Sequence, residues 1–194
     1  DLRGKTIGIV GLGGNGRYLA RVLAPWDVRV IATDYFPADC PPNVSQLLPA
    51  DQLPELLAQS DIVILTLPLN DSTRMLFDEQ MLGYMKPGSY LVNVARGAVV
   101  SEAALVAALD SGHLAGAGLD VTEVEPLPAD SLLWDRTNVL ITPHVGAQSA
   151  RRVSDTTDLV CENLRRFRSG LSLWNVVDKR LGFPHPSVIW RPEA

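Results

Sequence analysis

Hydrophobic residues along this chain fall into short runs rich in valine, isoleucine and leucine. Six of these runs predict strands, and a shorter seventh strand is predicted near residues 44–47. The six runs lie at residues 5–11, 27–34, 61–69, 89–95, 114–121 and 138–143. Apolar positions at helical spacing predict helices between and after them, at residues 15–25, 51–60, 78–85, 101–112 and 148–168. The chain therefore alternates strand and helix over most of its length.

This alternation determines the expected fold class. Strands that are apolar on both faces and alternate with helices are typical of a parallel sheet covered on both sides. Right-handed crossovers then give an α/β, doubly wound parallel sheet of the Rossmann type. We expect this domain to span residues 1–177 and residues 178–194 to form a C-terminal tail. The last thirteen residues carry three prolines and no periodicity, which predicts an extended arm or a disordered end.

Individual helix signals refine the prediction. Ser101 is placed to cap the fourth helix at its N-terminus, and Gly112 is placed to end it. In the first helix, Leu19, Val22 and Leu23 are expected to share the inner face. Basic residues in "LRRFRSG" suit the negative end of the last helix dipole.

Composition and charge narrow the function classes. The chain has 194 residues, 46% of them hydrophobic, which is enough for one large domain. Its 17 basic and 22 acidic residues give a net charge of −5, and no basic block is present. This argues against nucleic-acid and membrane-surface partners. Cys40 and Cys161 match no metal spacing, so we predict no metal site and a cytoplasmic chain with free thiols.

A glycine-rich loop follows the first predicted strand. "GLGGNG" places Gly11, Gly13 and Gly16 in the G-x-G-x-x-G register between a strand and a helix. In that context Gly11 allows a tight turn, Gly13 the approach of a pyrophosphate, and Gly16 close packing of the helix on the strand. The amides and dipole of the helix N-terminus then face the phosphates. The loop predicts a dinucleotide site.

Asp34 ends the second predicted strand, eighteen residues beyond Gly16. A carboxylate at this place accepts hydrogen bonds from the hydroxyls of the adenosine ribose. It also repels the 2′-phosphate of NADP, and no arginine follows in "ATDYFPAD" to reverse that preference. NAD(H) is therefore the predicted cofactor. The alternative is a structural loop with a surface aspartate.

Polar residues at the ends of three later strands predict a second part of the site. Arg96 follows "LVNVA", Asp120 ends "AGAGLD", and His144 follows "VLITP". Ligands of doubly wound sheets bind beyond the carboxyl ends of the strands, where these side chains fall. Taken alone, each such residue is better explained structurally: Arg96 as a salt-bridge partner, Glu125 as a solvated loop residue and His144 as a packed or exposed histidine. The common placement of Arg96, Asp120 and His144 at strand ends favours a catalytic or binding role for them.

With these residues in view, the chain resembles the D-isomer-specific 2-hydroxyacid dehydrogenases, specifically their NAD-binding domain. The resemblance rests on "GIVGLGGNG", "DIVILTLPLNDSTRMLF", "MKPGSYLVNVARGAVVSEAALVAAL", "AGAGLDVTEVEPLP" and "NVLITPHVGA", which together run from about residue 4 to about residue 177. It implies hydride transfer between NAD(H) and a small 2-hydroxy or 2-oxo acid. It does not single out one enzyme of the family.

The resemblance also implies roles for individual residues. Arg96, in the family's N-x-x-R-G motif, would grip the substrate carboxylate with two hydrogen bonds. His144 would exchange a proton with the carbonyl oxygen. Glu125, directly before a proline, would orient the imidazole and favour its protonated form. Asp120 would hold the nicotinamide carboxamide. The positions assigned to cofactor binding are Gly11, Gly13, Gly14, Asn15, Gly16, Asp34, Leu67, Pro68, Thr73, Val94, Ala95, Arg96, Asp120, His144 and Gly146.

The chain departs from the family pattern in two ways. Asn15, preceded by Gly14, stands where the loop usually carries an apolar residue, and only "DLRGK" precedes the first strand. Family members have a second domain that closes over the substrate. We therefore expect the cofactor-binding domain of a longer enzyme, or a naturally short chain, with weak or no activity by itself.

Two other functions remain compatible with the same motifs. A non-catalytic NAD(H)-sensing module, like the corepressors that resemble this family, would keep them all. A phosphite-oxidising relative would as well, whereas Glu125 speaks against the formate-oxidising branch. A homodimer is expected because the family pairs through this domain.

Overall fold

A parallel sheet is the central element of residues 1–144. The computed structural model describes residues 1–185, 187 and 188, and within this range seven strands pair into one sheet. The strands are β1 (Thr6–Val10), β2 (Arg29–Asp34), β3 (Gln46–Pro49), β4 (Ile62–Leu65), β5 (Ser89–Asn93), β6 (Leu114–Leu119) and β7 (Val139–Ile141). Their order is β3-β2-β1-β4-β5-β6-β7, and every neighbouring pair is parallel.

In the described part of the chain, four helices lie between strands and a fifth follows the last strand. They are α1 (Gly14–Leu23), α2 (Leu53–Gln59), α3 (Glu79–Gly83), α4 (Glu102–Asp110) and α5 (Arg152–Arg168), with short 3-10 turns at Ala24–Trp26, Ala50–Gln52 and Gly97–Val99. Ser101 caps α4 as predicted, because its hydroxyl accepts from the amide of Ala104 at 3.3 Å. Helix α5 begins at Arg152 rather than at 148, since the amide of Gln148 donates to Val145 in a preceding turn.

The strand order confirms the predicted doubly wound fold. From β1 the chain moves outward through β2 to β3, then crosses to β4 and moves outward in the other direction to β7. The reversal lies between β1 and β4. In such sheets, ligands bind beyond the carboxyl ends of the strands at this switch point. The loops that follow β1 and β4 therefore lie where this fold binds its ligand.

The hydrophobic core lies on both faces of the sheet. Ile7 and Ile9 pack in one cluster and Val10 in the other, as the alternation of side chains along a strand requires. The prediction that Val22 belongs to the inner face of α1 is wrong: Val22 is exposed, while Ala20 and Leu23 are buried. The buried face runs through positions 16, 20 and 23, and Val22 lies about 100° away from Leu23 around the helix.

Contacts divide the chain into two compact units, one from Asp1 to His144 and one from Val145 onward. Within the second unit, the segment after α5 folds back on the helix: Asn163 exchanges two hydrogen bonds with the main chain of Trp174, at 2.8 and 3.1 Å. The amide of Asp178 donates to Phe183 at 3.1 Å. The predicted limits 1–177 and 178–194 stay a prediction, and residues 186 and 189–194 of the predicted arm lie outside the described range.

Candidate active site and cofactor-binding loop

The glycine loop between β1 and α1 has two glycines that the chain itself requires. Gly11 has φ +96°, and a Cβ on it would lie 2.9 Å from the backbone of Leu67 in the loop after β4. A Cβ on Gly16 would lie 2.3 Å from the carbonyl oxygen of Gly11. Gly11 thus permits the turn and the contact between two loops, and Gly16 permits close packing of α1, as the motif predicts.

Gly13 has no such internal reason to be glycine. A Cβ on Gly13 or Gly14 would meet nothing within 4 Å. Gly13 is the N-cap of α1, where no side chain caps the helix and no acidic residue stands in the first turn; Asn15 is exposed there. The helix N-terminus is therefore uncapped, and packing within the chain does not explain the glycine at position 13. Both features suit the close approach of a phosphate group.

Asp34 lies beside this loop at the carboxyl end of β2. Its Oδ2 accepts from the amide of Leu12 at 2.7 Å, and its Oδ1 accepts from the amide of Phe36 at 2.9 Å. Each carboxylate oxygen can accept more than one hydrogen bond. The carboxylate is therefore fixed at the edge of the dinucleotide loop and keeps acceptor capacity for ribose hydroxyls.

The loop after β4 contains the next predicted cofactor residues. Leu67 is buried against Gly11. The hydroxyl of Thr73 donates to the carbonyl of Pro68 at 2.7 Å and accepts from the amide of Asn70 at 2.8 Å. The Thr73 side chain thus holds its own loop in shape next to the glycine loop.

Arg96 lies in the loop after β5, and a buried asparagine shapes that loop. The side chain of Asn93 accepts from the amide of Ala95 and donates to the carbonyl of Arg96, both at 3.0 Å. The guanidinium of Arg96 donates to Ala95 at 2.6 Å. Ala95 is buried, whereas Val94 and Arg96 are exposed and so accessible to a ligand.

Gly97 joins this loop to the one after β6. A Cβ on Gly97 would lie 1.7 Å from the carbonyl oxygen of Thr122, so only glycine fits. Our sequence reasoning gave no role to Asn93 or Gly97. Both are letters of the N-x-x-R-G motif that identified Arg96, so the signal for them was present.

Asp120 ties the ends of three strands together. Its amide donates to Asn93 at 3.0 Å, its carboxylate accepts from the hydroxyl of Thr142 at 2.5 Å, and its carbonyl accepts from the amide of His144 at 2.8 Å. His144 has φ +52°, a left-handed conformation that few non-glycine residues adopt. The hydrogen bond to Asp120 holds the histidine backbone in that turn.

Glu125 and His144 form a hydrogen-bonded pair. Oε2 of Glu125 lies 2.7 Å from Nδ1 of His144, and the amide of Thr122 donates to Oε1 at 3.2 Å. The hydrogen bond with His144 lowers the pKa of Glu125 below its usual value, with smaller contributions from Thr122 and from the charge of Arg96. A carboxylate facing Nδ1 fixes the ring orientation and leaves Nε2 for another partner. The side chain of His144 is 46% exposed and so accessible to one.

A pair of glutamates, Glu102 and Glu123, also holds these loops together. The amide of Glu123 donates to the carboxylate of Glu102 at 2.5 Å, and the amide of Glu102 donates to that of Glu123 at 3.2 Å. Burial, together with the neighbouring charge of Glu123, raises the pKa of Glu102. These reciprocal bonds fasten the start of α4 to the segment that carries Glu125.

The structure thus brings most of the predicted residues to one edge of the sheet. Arg96, Asp120, Glu125 and His144 follow β5, β6 and β7, while the glycine loop, Asp34 and the Leu67–Thr73 loop follow β1, β2 and β4. Gly146 lies in the second compact unit. Among the described residues, no cluster of three or more His, Cys, Asp or Glu side chains could hold a metal ion, and no helix could cross a membrane.

Comparison with known proteins agrees with this arrangement. A family model described as "D-isomer specific 2-hydroxyacid dehydrogenase, NAD binding domain" matches residues 1–146. The chain belongs to this family. It is 41% identical over 172 residues to a glyoxylate reductase of Thermococcus onnurineus, covering 88% of this chain and 50% of that protein. It is also 41% identical over 167 residues to an (S)-sulfolactate dehydrogenase of Chromohalobacter salexigens, covering 86% of this chain and 54% of the relative.

Solved structures of family members are also similar. A D-isomer specific 2-hydroxyacid dehydrogenase from Xanthobacter autotrophicus, in complex with NADPH and MES, aligns with a TM-score of 0.87 and 42% identity over 92% of this chain and 73% of that one. An NADPH-dependent glyoxylate/hydroxypyruvate reductase from Sinorhizobium meliloti, in complex with NADP and sulfate, aligns with a TM-score of 0.84 and 36% identity. The alignment covers 92% of this chain and 57% of that one. The chain spans about half the length of the two curated relatives above.

Proposed function

We propose that this chain binds NAD(H) and supplies the catalytic residues for hydride transfer between that cofactor and a small D-2-hydroxy acid or its 2-oxo acid. The Glu125–His144 pair carries the proposal: a carboxylate holds Nδ1 of an accessible imidazole at 2.7 Å, at the sheet edge that also bears the dinucleotide loop. The named relatives, glyoxylate reductase and sulfolactate dehydrogenase, support a small 2-oxo or 2-hydroxy acid as substrate.

The residues that follow β5, β6 and β7 have different roles in the proposed reaction. When bound, the nicotinamide cofactor supplies or accepts the hydride. Arg96 binds the substrate carboxylate and polarises the adjacent carbonyl with its planar, permanently charged guanidinium. Nε2 of His144 donates a proton to the carbonyl oxygen during reduction and removes it during oxidation. Glu125 keeps the ring oriented, and Asp120 holds the carboxamide.

The glycine loop and Asp34 define the cofactor. The bare N-terminus of α1 is placed for the pyrophosphate, and Asp34 for the two adenosine ribose hydroxyls. Two similar structures contain NADPH or NADP. In this chain, however, a carboxylate at the ribose position repels a 2′-phosphate, so we propose NAD(H) as the preferred cofactor. Leu67, Pro68, Thr73, Val94, Ala95 and Gly146 complete the proposed contacts.

We also propose a homodimer and a cytoplasmic location. Exposed apolar side chains at Leu132, Trp134 and Leu140, near the edge strand β7, support a homodimer. Both cysteines are free thiols, which supports a reducing, cytoplasmic environment. Light scattering and subcellular fractionation test these two points.

A single substitution tests the catalytic proposal. In the natural full-length protein with NADH and glyoxylate or hydroxypyruvate, we expect His144→Gln to lower kcat by about 10²- to 10⁴-fold, the usual contribution of a general acid. The control is His113→Gln, because Nε2 of His113 lies 3.1 Å from the carbonyl oxygen of Leu82 and the residue directly precedes β6, at the opposite edge of the sheet. Turnover undiminished in His144→Gln contradicts the proton-transfer role. NADH binding without turnover of any 2-oxo acid would favour the sensing module instead.

A further inference from the structure

Arg17, in the first turn of α1, lies next to the dinucleotide loop and has no part in the function proposed above. Its Nε donates to the carbonyl of Leu12 at 3.1 Å. Leu12 is also the residue whose amide donates to the carboxylate of Asp34 at 2.7 Å. The guanidinium of Arg17 and the carboxylate of Asp34 are therefore hydrogen-bonded to the same residue of the loop.

Asp39 holds the rest of the Arg17 guanidinium. Nη1 of Arg17 donates to the carboxylate of Asp39 at 3.0 Å, and Nη2 donates to the Asp39 carbonyl at 2.8 Å. Asp39 lies in the loop that follows β2 and the ribose-binding position at Asp34. The arginine is thus a cation beside the predicted ribose site, with its charge balanced by a neighbouring aspartate.

This ion pair can be exchanged for another partner. The side chain of Asp39 is 82% exposed and that of Arg17 is 35% exposed. Ion pairs at such exposure contribute little to stability. A guanidinium also binds a phosphate through two parallel hydrogen bonds, which makes it a preferred partner for phosphate groups. A phosphate next to Asp34 would therefore compete well with Asp39 for Arg17.

We propose that Arg17 and Asp39 are specificity-determining residues for the cofactor. Asp34 repels the 2′-phosphate of an NADP-type dinucleotide, Arg17 is the cation available to bind that phosphate, and Asp39 occupies Arg17 and so reinforces the preference for NAD(H). The preference depends on the balance of these three charges. This inference rests on the proposed function only in requiring that the glycine loop binds a nicotinamide dinucleotide.

Titration calorimetry with NADH and NADPH tests the proposal on the chain itself. We expect Asp34→Ser to lower the ratio of the NADPH Kd to the NADH Kd at least about tenfold, and Asp39→Asn to lower it about threefold. In the Asp34→Ser background, adding Arg17→Gln should weaken NADPH binding about tenfold more than NADH binding. The NADPH affinity of Asp34→Ser should also fall with added salt more steeply than that of Asp34→Ser with Arg17→Gln.

A matched control separates the local effect from a general change of charge. Asp27 is 81% exposed, pairs with Arg3 at 3.8 Å and precedes β2 at the opposite end of the strand. Asp27→Asn removes the same charge and keeps the left-handed backbone that asparagine tolerates. We expect it to leave the Kd ratio unchanged.

Three results would overturn the inference. Equal shifts of the ratio in Asp39→Asn and Asp27→Asn would show that only net charge matters. NADPH affinity unaffected by Arg17→Gln in the Asp34→Ser background would remove Arg17 from the phosphate position. Failure of the wild-type chain to bind either dinucleotide would overturn the proposed function as well, whereas tight NADH binding with an unresponsive ratio overturns this inference alone.

Discussion

The two halves of the carboxyl edge of the sheet are built differently. On the β1–β2–β4 side, the loop conformation depends on glycines: Gly11 and Gly16 are needed for packing, and Gly13 leaves the helix N-terminus bare. On the β5–β7 side, Gly97 is also needed for packing, but the hydrogen bonds of polar residues set the loop conformations. Asn93 shapes the Arg96 loop, and Asp120 joins the ends of three strands.

This difference reflects what each half must position. A phosphate is bound by main-chain amides, so a loop of small residues at a helix N-terminus suffices. Proton transfer needs a particular side-chain atom in a particular direction, so the imidazole of His144 needs its own network of Glu125, Thr122 and Asp120. We therefore expect substitutions to separate the halves: changes in the first should alter cofactor binding, and changes in the second should alter stability and catalysis.

The largest difference in stability is expected between two glycine substitutions, one in each half. Gly97→Ala places a Cβ 1.7 Å from a backbone oxygen of Thr122, and we expect it to lower the free energy of unfolding by about 3 kcal/mol. Gly13→Ala meets nothing within 4 Å and should cost less than about 1 kcal/mol while weakening NADH binding. Urea unfolding followed by circular dichroism measures the first effect. Equal stability of the two variants would contradict this account of Gly97.

Asp34→Ala should have the next largest effect, on cofactor binding. The loss of a charge-assisted hydrogen bond, about 1.5–3 kcal/mol, predicts ten- to a hundredfold weaker NAD binding. Discrimination against NADP should relax at the same time. Calorimetric titration checks both, with Asp27→Asn as the surface control. Unchanged NAD affinity would remove Asp34 from the ribose site.

How far the sequence predicts this edge depends on the range of the contacts involved. The glycine loop and the Ser101 cap were predicted because their signals span a few consecutive residues. Local spacing does not place Arg17 near Asp34, because the two residues lie on α1 and β2 and both bond to Leu12 only in the folded loop. The constraint on Gly97 comes from Thr122, a contact across the fold that local spacing does not show. Val22 was misplaced because apolar character alone does not give the inner face of a helix.

Asn93→Ala should produce a moderate effect on the β5–β7 side. It removes both side-chain hydrogen bonds that shape the Arg96 loop and leaves the buried amide of Ala95 without its acceptor, at a cost of about 1–2 kcal/mol. We also expect KM for the 2-oxo acid to rise, because Arg96 moves. The matched control is Asn138→Ala. The exposed side chain of Asn138 donates a single hydrogen bond, at 3.3 Å, to the carbonyl of Ala115. A loss of stability equal to that of the control would argue against the role of Asn93.

The smallest expected effects are opposite pH dependences of two glutamates. The pKa of Glu125 is lowered by its hydrogen bond to His144, so its contribution to stability is present above its unfolded pKa and is lost as pH falls through the lower folded value. The pKa of Glu102 is raised by burial and then by Glu123, so its cost at neutral pH is relieved on acidification through the raised value.

Unfolding curves between about pH 3 and pH 7 test both signs. Glu125→Gln should destabilise the chain at neutral pH, and the difference from wild type should shrink at the acid end. Glu102→Gln, whose amide oxygen can still accept from Glu123, should stabilise it at neutral pH and lose that advantage on acidification. Parallel pH profiles for both variants and the wild type would argue against the two pKa directions.

The proposed function requires that the two halves form one site, with the reactive end of a bound dinucleotide next to His144. The chain has three histidines, so the imidazole signals can be resolved in a single NMR titration with NADH. His113, directly before β6 at the opposite edge of the sheet, is the internal control. We predict that the signal of His144 shifts on NADH binding and that of His113 does not. NADH binding that leaves His144 unchanged would contradict the proposed single site.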